Sequence, residues 1–382
     1  KYNKYNKYIN LEVIMKKILG ILALMLAVSG IASAEQDVLK SINFSTEVRQ
    51  GWQDRKGQKA NGIGNAGFKK DNRARTRWRN TVSGELSFVD EWGLGASFKV
   101  MNDQDTNRNK FKNNKITHLG TYNKRENWYT TLELTKGLKI GALDTKMTFG
   151  WYNETYRRRL DKDGNESLTG QKKSEGIWSD IYFGPSFDFK LLGHDISTTL
   201  QLVYFNIKGS ASGDYHLSGS DFVRGKAEGW GVNADFTTGK DIYNGNLGKV
   251  AYSIDMIHHF RDASGKINTT GKDAKSNVYV DYVLGLSYTT PSFAGFYGKV
   301  SVSNEWEKYT AVTGYNNYFS VWTDLGYKTS FDTNIGKITI NPFVRYRPIH
   351  RESEYNKHNE NKRKTIEINE FRAGLSVSLT AN

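Results

Sequence analysis

Apolar and polar residues alternate along most of the chain, and the alternation is clearest between Arg73 and Phe88. One face of this segment is mostly apolar, whereas the other carries arginine at every second position from Arg73 to Arg79. A period of two predicts a β-strand, because successive side chains of a strand point to opposite faces. The segment is much longer than the usual strand of a soluble protein, which has about five or six residues. It therefore indicates a strand of an unusually tall sheet.

The same pattern predicts about fourteen strands, an even number as in bacterial outer-membrane barrels. They are expected near residues 41–53, 73–88, 92–103, 124–136, 145–158, 176–191, 195–208, 223–239, 248–262, 277–290, 295–309, 317–330, 336–349 and 365–380. Long polar links alternate with short ones, which is typical of long extracellular loops and short periplasmic turns and places both termini in the periplasm. The links at 137–144 and 240–247 are longer than this rule predicts, so twelve or sixteen strands also fit. The predicted fold is all-β, a transmembrane antiparallel β-barrel.

Two prolines, Pro185 and Pro342, lie inside predicted strands. Proline has no backbone N–H and cannot donate to a strand ladder. We therefore expect a bulge or weakened pairing at both positions.

The N-terminal part of the chain has the features of an export signal. From Met15, two lysines precede the apolar run 18–28, and the small residues Ala32-Ser33-Ala34 precede Glu35. This order predicts a signal peptide over residues 15–34, and the run is too short for a membrane-spanning helix of about 20 apolar residues. Residues 1–14 contain a Lys-Tyr-Asn repeat and are expected to be untranslated upstream sequence, which the intact mass of the precursor would test. Residues 35–382 are then one barrel domain.

Composition removes several classes of function. The chain has no cysteine, which excludes disulfides and thiolate metal sites. The 54 lysines and arginines outnumber the 40 acidic residues, but no recognition motif accompanies this excess, so nucleic acid is not an expected partner. The mean hydropathy of −0.63 is compatible with a barrel, because its strands average lipid-facing and lumen-facing residues. No glycine-rich phosphate loop is present, and we expect no cofactor and no metal.

The seven histidines offer little catalytic chemistry. Only His258 and His259, near Asp262, form a local cluster with a carboxylate inside a predicted strand. Adjacent strand residues point to opposite faces, so the two imidazoles cannot act together on a metal or a substrate. We expect the protein not to be an enzyme.

The polar faces of the strands predict a charged barrel interior. The strands with inward arginines become neighbours when the barrel closes, and these arginines form one basic wall: Arg49, Arg73, Arg75, Arg77, Arg79, Arg345, Arg347 and Arg372. Inward acids are expected mainly elsewhere: Glu133, Asp180, Asp188, Asp235, Asp255, Asp281, Glu305 and Asp324. Arginines in a pore attract anions. The lumen is therefore expected to favour anions or small dipolar solutes.

The signal peptide, the amphipathic strands, the long polar loops and the absence of cysteine together resemble the Gram-negative outer-membrane porin family over residues 15–382. The lysine-, asparagine- and tyrosine-rich composition is similar to that of the fusobacterial major outer-membrane porins. The resemblance implies a water-filled, often trimeric pore in the outer membrane for passive diffusion of small hydrophilic solutes. The match has two departures, since the last strand does not end in an aromatic residue and the third loop, 160–174, is short.

The partners expected for such a barrel are outer-membrane lipid and lipopolysaccharide, the barrel-assembly machinery and, as the resemblance implies, two further copies in a homotrimer. The basic loops also leave a second function open. In this alternative the protein is a surface adhesin or structural barrel that binds host or envelope partners through its loops. A closed lumen would distinguish the alternative from a porin.

Overall fold

The computed structural model describes residues 38–54, 72–89, 93–112, 115–116, 124–141, 143–160, 172–212, 222–266, 276–309, 315–355 and 364–381. The predicted signal peptide and the residues before it lie outside this part of the chain. The regular structure of the described residues is β-strand throughout.

The strands are β1 (Leu39–Asp54), β2 (Asn72–Val89), β3 (Leu94–Lys112), β4 (Lys115–Ile116), β5 (Lys124–Ile140), β6 (Leu143–Leu160), β7 (Lys172–Leu191), β8 (His194–Ser212), β9 (Phe222–Gly245), β10 (Gly248–Lys266), β11 (Asn277–Thr289), β12 (Phe296–Tyr309), β13 (Tyr315–Tyr327), β14 (Thr329–Thr333), β15 (Gly336–Tyr355) and β16 (Lys364–Ala381). The two-residue strand β4 pairs only with the end of β3. Strands β13 and β14 are separated by Lys328 alone, and both pair with β15. Together they count as one, which leaves fourteen long strands in the described wall.

The sheet closes on itself. Each long strand pairs antiparallel with its neighbours along the chain, β16 pairs with β1, and β13 pairs with β15. This closure confirms the predicted antiparallel barrel of about fourteen strands. The alternatives of twelve and sixteen strands arose from the two long links. In the structure only two residues separate β5 from β6 and β9 from β10, because the flanking strands extend further than predicted. Gly141 adopts a φ of 62° in the first of these links, a conformation that glycine takes at no steric cost.

The two faces of the wall differ in character. On alternate positions the large apolar side chains of Leu132, Phe183, Leu202 and Leu325 are 47, 51, 62 and 60 % exposed. In a closed barrel the convex face is the accessible one, so these residues face outwards. The intervening residues, which include most of the charged side chains of the wall, face the interior. We call the end of the barrel with the tight connections the turn end and the opposite end the loop end.

Both of the prolines that the sequence analysis singled out weaken a ladder without changing its register. At Pro185 the pairing of β7 with β6 continues, but the pairs of Gly184 and Pro185 with β8 are missing. Pro342 pairs with Leu375 on one side, while on the other side the ladder is interrupted at Lys328. The expectation of weakened pairing is confirmed at both positions.

A third proline, Pro348, produces an unpredicted bulge. The register of β15 shifts against β13 between Val321 and Thr323, and against β16 between Arg347 and Arg351. One extra residue is therefore accommodated on β15, as in other β-bulges.

Several large inner side chains lie over a glycine of a neighbouring strand. A Cβ on Gly150 would lie 2.2 Å from the ring of Tyr182. One on Gly229 would lie 1.9 Å from the backbone oxygen of Asp262 and 3.0 Å from the ring of Phe205. A larger residue would therefore displace the Tyr182 ring at Gly150 and would clash with the neighbouring backbone at Gly229. The glycines thus make room for bulky groups on the inner wall.

Candidate functional site

Four inward-facing arginines lie side by side across four neighbouring strands. The register pairs Arg77 of β2 with Arg49 of β1, Arg49 with Arg372 of β16, and Arg372 with Arg345 of β15. We call these four residues the arginine row. Side chains directly opposite on adjacent strands have Cβ atoms about 4.5–5.5 Å apart, and like charges in such pairs are destabilising. The row therefore carries an electrostatic cost that the fold itself does not require.

Carboxylates interleave with the row on the same face. Arg49 is hydrogen-bonded to Glu47, two residues earlier on β1, and Arg372 is hydrogen-bonded in the same way to Glu370 on β16. A spacing of two residues places both members of each pair on one face of a strand. Glu47 and Glu370 were not among the predicted lumen residues, although this spacing was visible in the sequence.

The two ends of the row have partners on adjacent strands. Arg345 donates two hydrogen bonds of 2.7 Å to Asp324, in the two-pronged geometry that suits a guanidinium and a carboxylate. Arg77 lies 3.6 Å from Asp103. The sequence analysis placed Asp324 among the acids away from the basic wall, and this is wrong because β13 pairs directly with β15. Asp103 was also missed.

Two more predicted arginines extend this wall. Arg79 donates to Asp103 over 2.7 Å, and Arg347 lies 3.4 Å from Glu370. The six described arginines of the wall contact the carboxylates of Glu47, Asp103, Asp324 and Glu370. Arg73 and Arg75 belong to β2, but their side chains lie outside the described ones.

The indole ring of Trp322 lies at the centre of three guanidinium groups. The ring centroid is 4.3 Å from Cζ of Arg372, 4.9 Å from that of Arg347 and 5.6 Å from that of Arg345. Cations at these distances from an indole are attracted by its π-face. Trp322 lies opposite the bulge at Pro348, which sequence reasoning did not anticipate, so this arrangement was also missed.

The predicted inward acids fall into two groups apart from Asp324. Four lie on the inner face of β9 to β12, namely Asp235, Asp255, Asp281 and Glu305. His259 contacts Asp235 over 3.0 Å. The other three lie on the inner face of β5 and β7, namely Glu133, Asp180 and Asp188, and Asp188 is close to the turn end.

Across the barrel from the arginine row, the inner face of β7 to β9 carries a buried apolar cluster beside its carboxylates. Trp178, Phe205, Ile207 and Ala227 form a cluster in which every side chain is at most 3 % exposed, and the rings of Trp178 and Phe205 stack. We call these four residues the inner apolar cluster. Sequence analysis expected polar residues on this face. The sequence did contain one indication of an apolar inner face here. The run of residues 202–205 is apolar without interruption, so it places apolar side chains on both faces of β8.

A polar recess opens into the lumen between β1, β2, β3 and β5. The cavity has a volume of about 220 Å³ and is lined mainly by inward polar side chains, namely Asn43, Ser83, Glu85, Ser97, Lys99, Thr131 and Glu133, with Gly84 and Phe98 completing it. It lies nearer the turn end than the arginine row. Of these residues Glu133 was predicted to line the lumen, and Ser83 and Glu85 lie on the polar face of β2 that was predicted to point inwards with the arginines.

The two adjacent histidines point to opposite faces, since His258 contacts the outward Tyr282 over 2.9 Å while His259 contacts the inward Asp235. Across the described ranges no group of three histidine, aspartate or glutamate side chains is arranged to hold a metal ion. In the same part of the chain no helix is long and apolar enough to cross a membrane.

Comparisons with known proteins give a likeness of fold without a family. No family model matches the chain, and no curated protein matches it. Among solved structures it is similar to a FadL homologue of Pseudomonas aeruginosa, with 10 % identity, 89 % of this chain and 90 % of that chain covered and a TM-score of 0.40. The toluene transporter TodX of Pseudomonas putida gives 11 % identity, 89 % of each chain and a TM-score of 0.38. The transport unit of the autotransporter AIDA-I from Escherichia coli gives 10 % identity, 89 and 90 % coverage and a TM-score of 0.32.

Proposed function

We propose that the protein is an outer-membrane channel through which small hydrophilic solutes diffuse passively, with a preference for anions. The observation that carries the proposal is the arginine row. Four like charges in direct cross-strand opposition are destabilising, and a function that needs positive potential inside the barrel accounts for them.

The apolar and aromatic side chains of the outer face support the part of the proposal that puts the barrel in a membrane. Besides its aliphatic residues the outer face exposes aromatic side chains near both ends, with Trp230, Phe260 and Tyr282 towards the loop end and Tyr288 and Phe296 towards the turn end. Aromatic residues in two bands around an apolar belt are typical of barrels in the Gram-negative outer membrane. In this proposal the tight turns and both termini lie in the periplasm, and the loop end meets lipopolysaccharide.

The row is suited to attract anions into the lumen while leaving water there. Arginine keeps its charge throughout the physiological pH range, and a low-dielectric wall concentrates the field of fixed charges into the pore. The interleaved carboxylates neutralise part of this field, so the expected preference for anions is moderate. Salt of about 0.15 M screens exposed charges beyond about 8 Å, which makes the preference strongest at low salt.

Single-channel recording from refolded protein in a planar bilayer tests the proposal. Under a potassium chloride gradient we expect steady conductance and a reversal potential on the anion side. Replacing all four arginines of the row by glutamine should move the reversal potential to zero or to the cation side. The matched control replaces four basic residues outside the row by glutamine, namely Lys139, Arg157, Lys190 and Lys208. It should leave the reversal potential nearly unchanged.

A folded barrel without conductance would contradict the proposal and favour the alternative of a surface adhesin or structural barrel. Conductance with equal reversal potentials in both four-residue variants would retain the channel and remove the role of the row.

A further inference from the structure

The polar recess between β1, β2, β3 and β5 has a pattern of charge that the anion preference does not use. Glu85 on β2, Ser97 on β3 and Glu133 on β5 occupy one row of directly paired inward positions. Lys99 lies two residues from Ser97 on β3, diagonal to both carboxylates. One cation thus lies between two anions around a single cavity.

Glu133 is held in a fixed orientation. It accepts a hydrogen bond of 2.8 Å from the Ser97 hydroxyl and one of 2.7 Å from the Tyr182 hydroxyl. The Tyr182 ring reaches it by crossing Gly150, whose missing side chain leaves the path open. Each carboxylate oxygen accepts one bond from the protein and retains capacity for another donor.

Lys99 and Glu85 are available for a solute. Both side chains are exposed to the lumen, and within the described part of the chain neither makes a hydrogen bond or an ion pair. Diagonal neighbours on a sheet are about 7–8 Å apart, so the lysine and the two carboxylates surround the cavity without closing it. The recess therefore offers a cation and an oriented carboxylate at adjacent positions.

We propose that the recess is a binding subsite for small zwitterions, of which a free α-amino acid is the simplest. The solute carboxylate pairs with Lys99, and its ammonium group donates to Glu133. The proposal rests on the channel function proposed above and names a solute class for it. The inner hydroxyl and amide groups of Asn43, Ser83 and Thr131 replace water around the bound solute.

The mixed charge of the recess favours a zwitterion over the other small solutes. A simple anion finds one lysine against two carboxylates, so the net charge of the recess disfavours it. A cation finds the carboxylates but also the repulsion of Lys99. A neutral polyol would supply no ionic partner to any of the three charges, and this matters most at the half-buried Glu133.

Uptake into proteoliposomes tests the subsite with three molecules of nearly equal size. Alanine carries both charges, lactate has a hydroxyl in place of the ammonium group, and alaninol has a hydroxymethyl group in place of the carboxylate. Flux through a pore without a site rises linearly with concentration, whereas a site makes it saturate. We expect alanine flux to saturate and the fluxes of lactate and alaninol to stay linear.

The substitutions Lys99→Gln and Glu133→Gln should each raise the half-saturating alanine concentration by about tenfold, because each removes a charge-assisted hydrogen bond. Tyr182→Phe keeps the ring over Gly150 but loses the donor to Glu133, and should raise it about threefold. Lys99→Arg keeps the positive charge that Lys99→Gln removes, and alanine flux should still saturate in this variant. The control Asp188→Asn removes an inward carboxylate outside the recess and should leave the half-saturating concentration unchanged.

Linear alanine flux, equal saturation by all three solutes, or unchanged half-saturation in Lys99→Gln and Glu133→Gln would overturn the subsite. Potassium chloride conductance is recorded on the same preparations. If it persists with its anion preference while alanine saturation is absent, only the subsite fails. If conductance itself is absent, the channel and the subsite fail together.

Discussion

The arginine row and the inner apolar cluster lie on opposite sides of one barrel, yet their side chains meet the interior in different ways. On β15, β16, β1 and β2 the inward groups are charged, partly accessible and paired with carboxylates within each strand or with the next strand. In the inner apolar cluster on β7 to β9 they are apolar and almost fully buried. The two walls therefore have different tasks. The first maintains an electrostatic field at some cost in stability, and the second supplies packing that offsets such costs.

The largest effect on stability is expected from Phe205→Ala in the inner apolar cluster. The change removes a fully buried ring and leaves a cavity between Trp178 and Gly229, which costs about 3–5 kcal/mol. Urea unfolding of the refolded barrel in detergent micelles measures the loss. Arg49→Gln in the row should cost much less while changing ion selectivity, and the opposite ranking would break the comparison. Phe183→Ala on the outer face is the matched aromatic control.

The next largest effect is expected from Gly150→Ala, which forces the Tyr182 ring away from the neighbouring strand. A Cβ would lie 2.2 Å from that ring, and overpacking of this kind costs about 1–3 kcal/mol. The double variant Gly150→Ala with Tyr182→Ser should be less destabilised than the sum of the single changes, since the ring is then absent. Additive costs in the same urea assay would show that the contact is unimportant.

Asp324→Asn tests the charged wall from its acidic side. It removes the two-pronged partner of Arg345, so the net positive charge at the row rises and the anion preference should increase. The loss of stability should be about 1 kcal/mol, since Arg345 remains accessible to lumen water. The reversal potential is the measurement. A shift towards cations would contradict the assignment of Asp324 to this wall.

The smallest effect on ion selectivity is expected from Trp322→Leu. Each contact between a guanidinium and the indole contributes about 0.5–1 kcal/mol at accessible sites, and the change removes three of them. The three arginines should become less ordered, which lowers the anion preference slightly without abolishing it. Trp322→Phe retains an aromatic face and should recover most of the preference. Equal reversal potentials in Trp322→Leu and Trp322→Phe would show that the aromatic ring does not hold the arginines in place.

The fold was largely predictable because alternation is a direct record of which side of a wall each residue faces. Strand ends were predicted less well, and β3 and β15 continue to Lys112 and Tyr355 through stretches where both faces are polar. At such ends a strand above the lipid band and a solvated loop have the same composition. Apolar and polar residues do not alternate there, so the sequence pattern cannot locate the end of the strand.

The candidate site was predicted in its residue types more than in its contacts. The inward arginines follow from strand phase alone, but their direct opposition depends on register, which phase does not specify. Glu47 and Glu370 were predictable from their spacing to Arg49 and Arg372. The place of Trp322 was not, since it depends on the extra residue that the chain accommodates at Pro348.

The interruptions on β15 also matter for how the barrel opens. The seam that joins β13 and β14 to β15 is broken opposite Pro342 and again at Pro348, whereas the ladder between β5 and β6 is continuous. Short ladder segments can separate one at a time, so the amide hydrogens along this seam should exchange with solvent sooner than those of β5. A closed barrel has no free edge, and this seam is where a loosened molecule would first expose one to another chain.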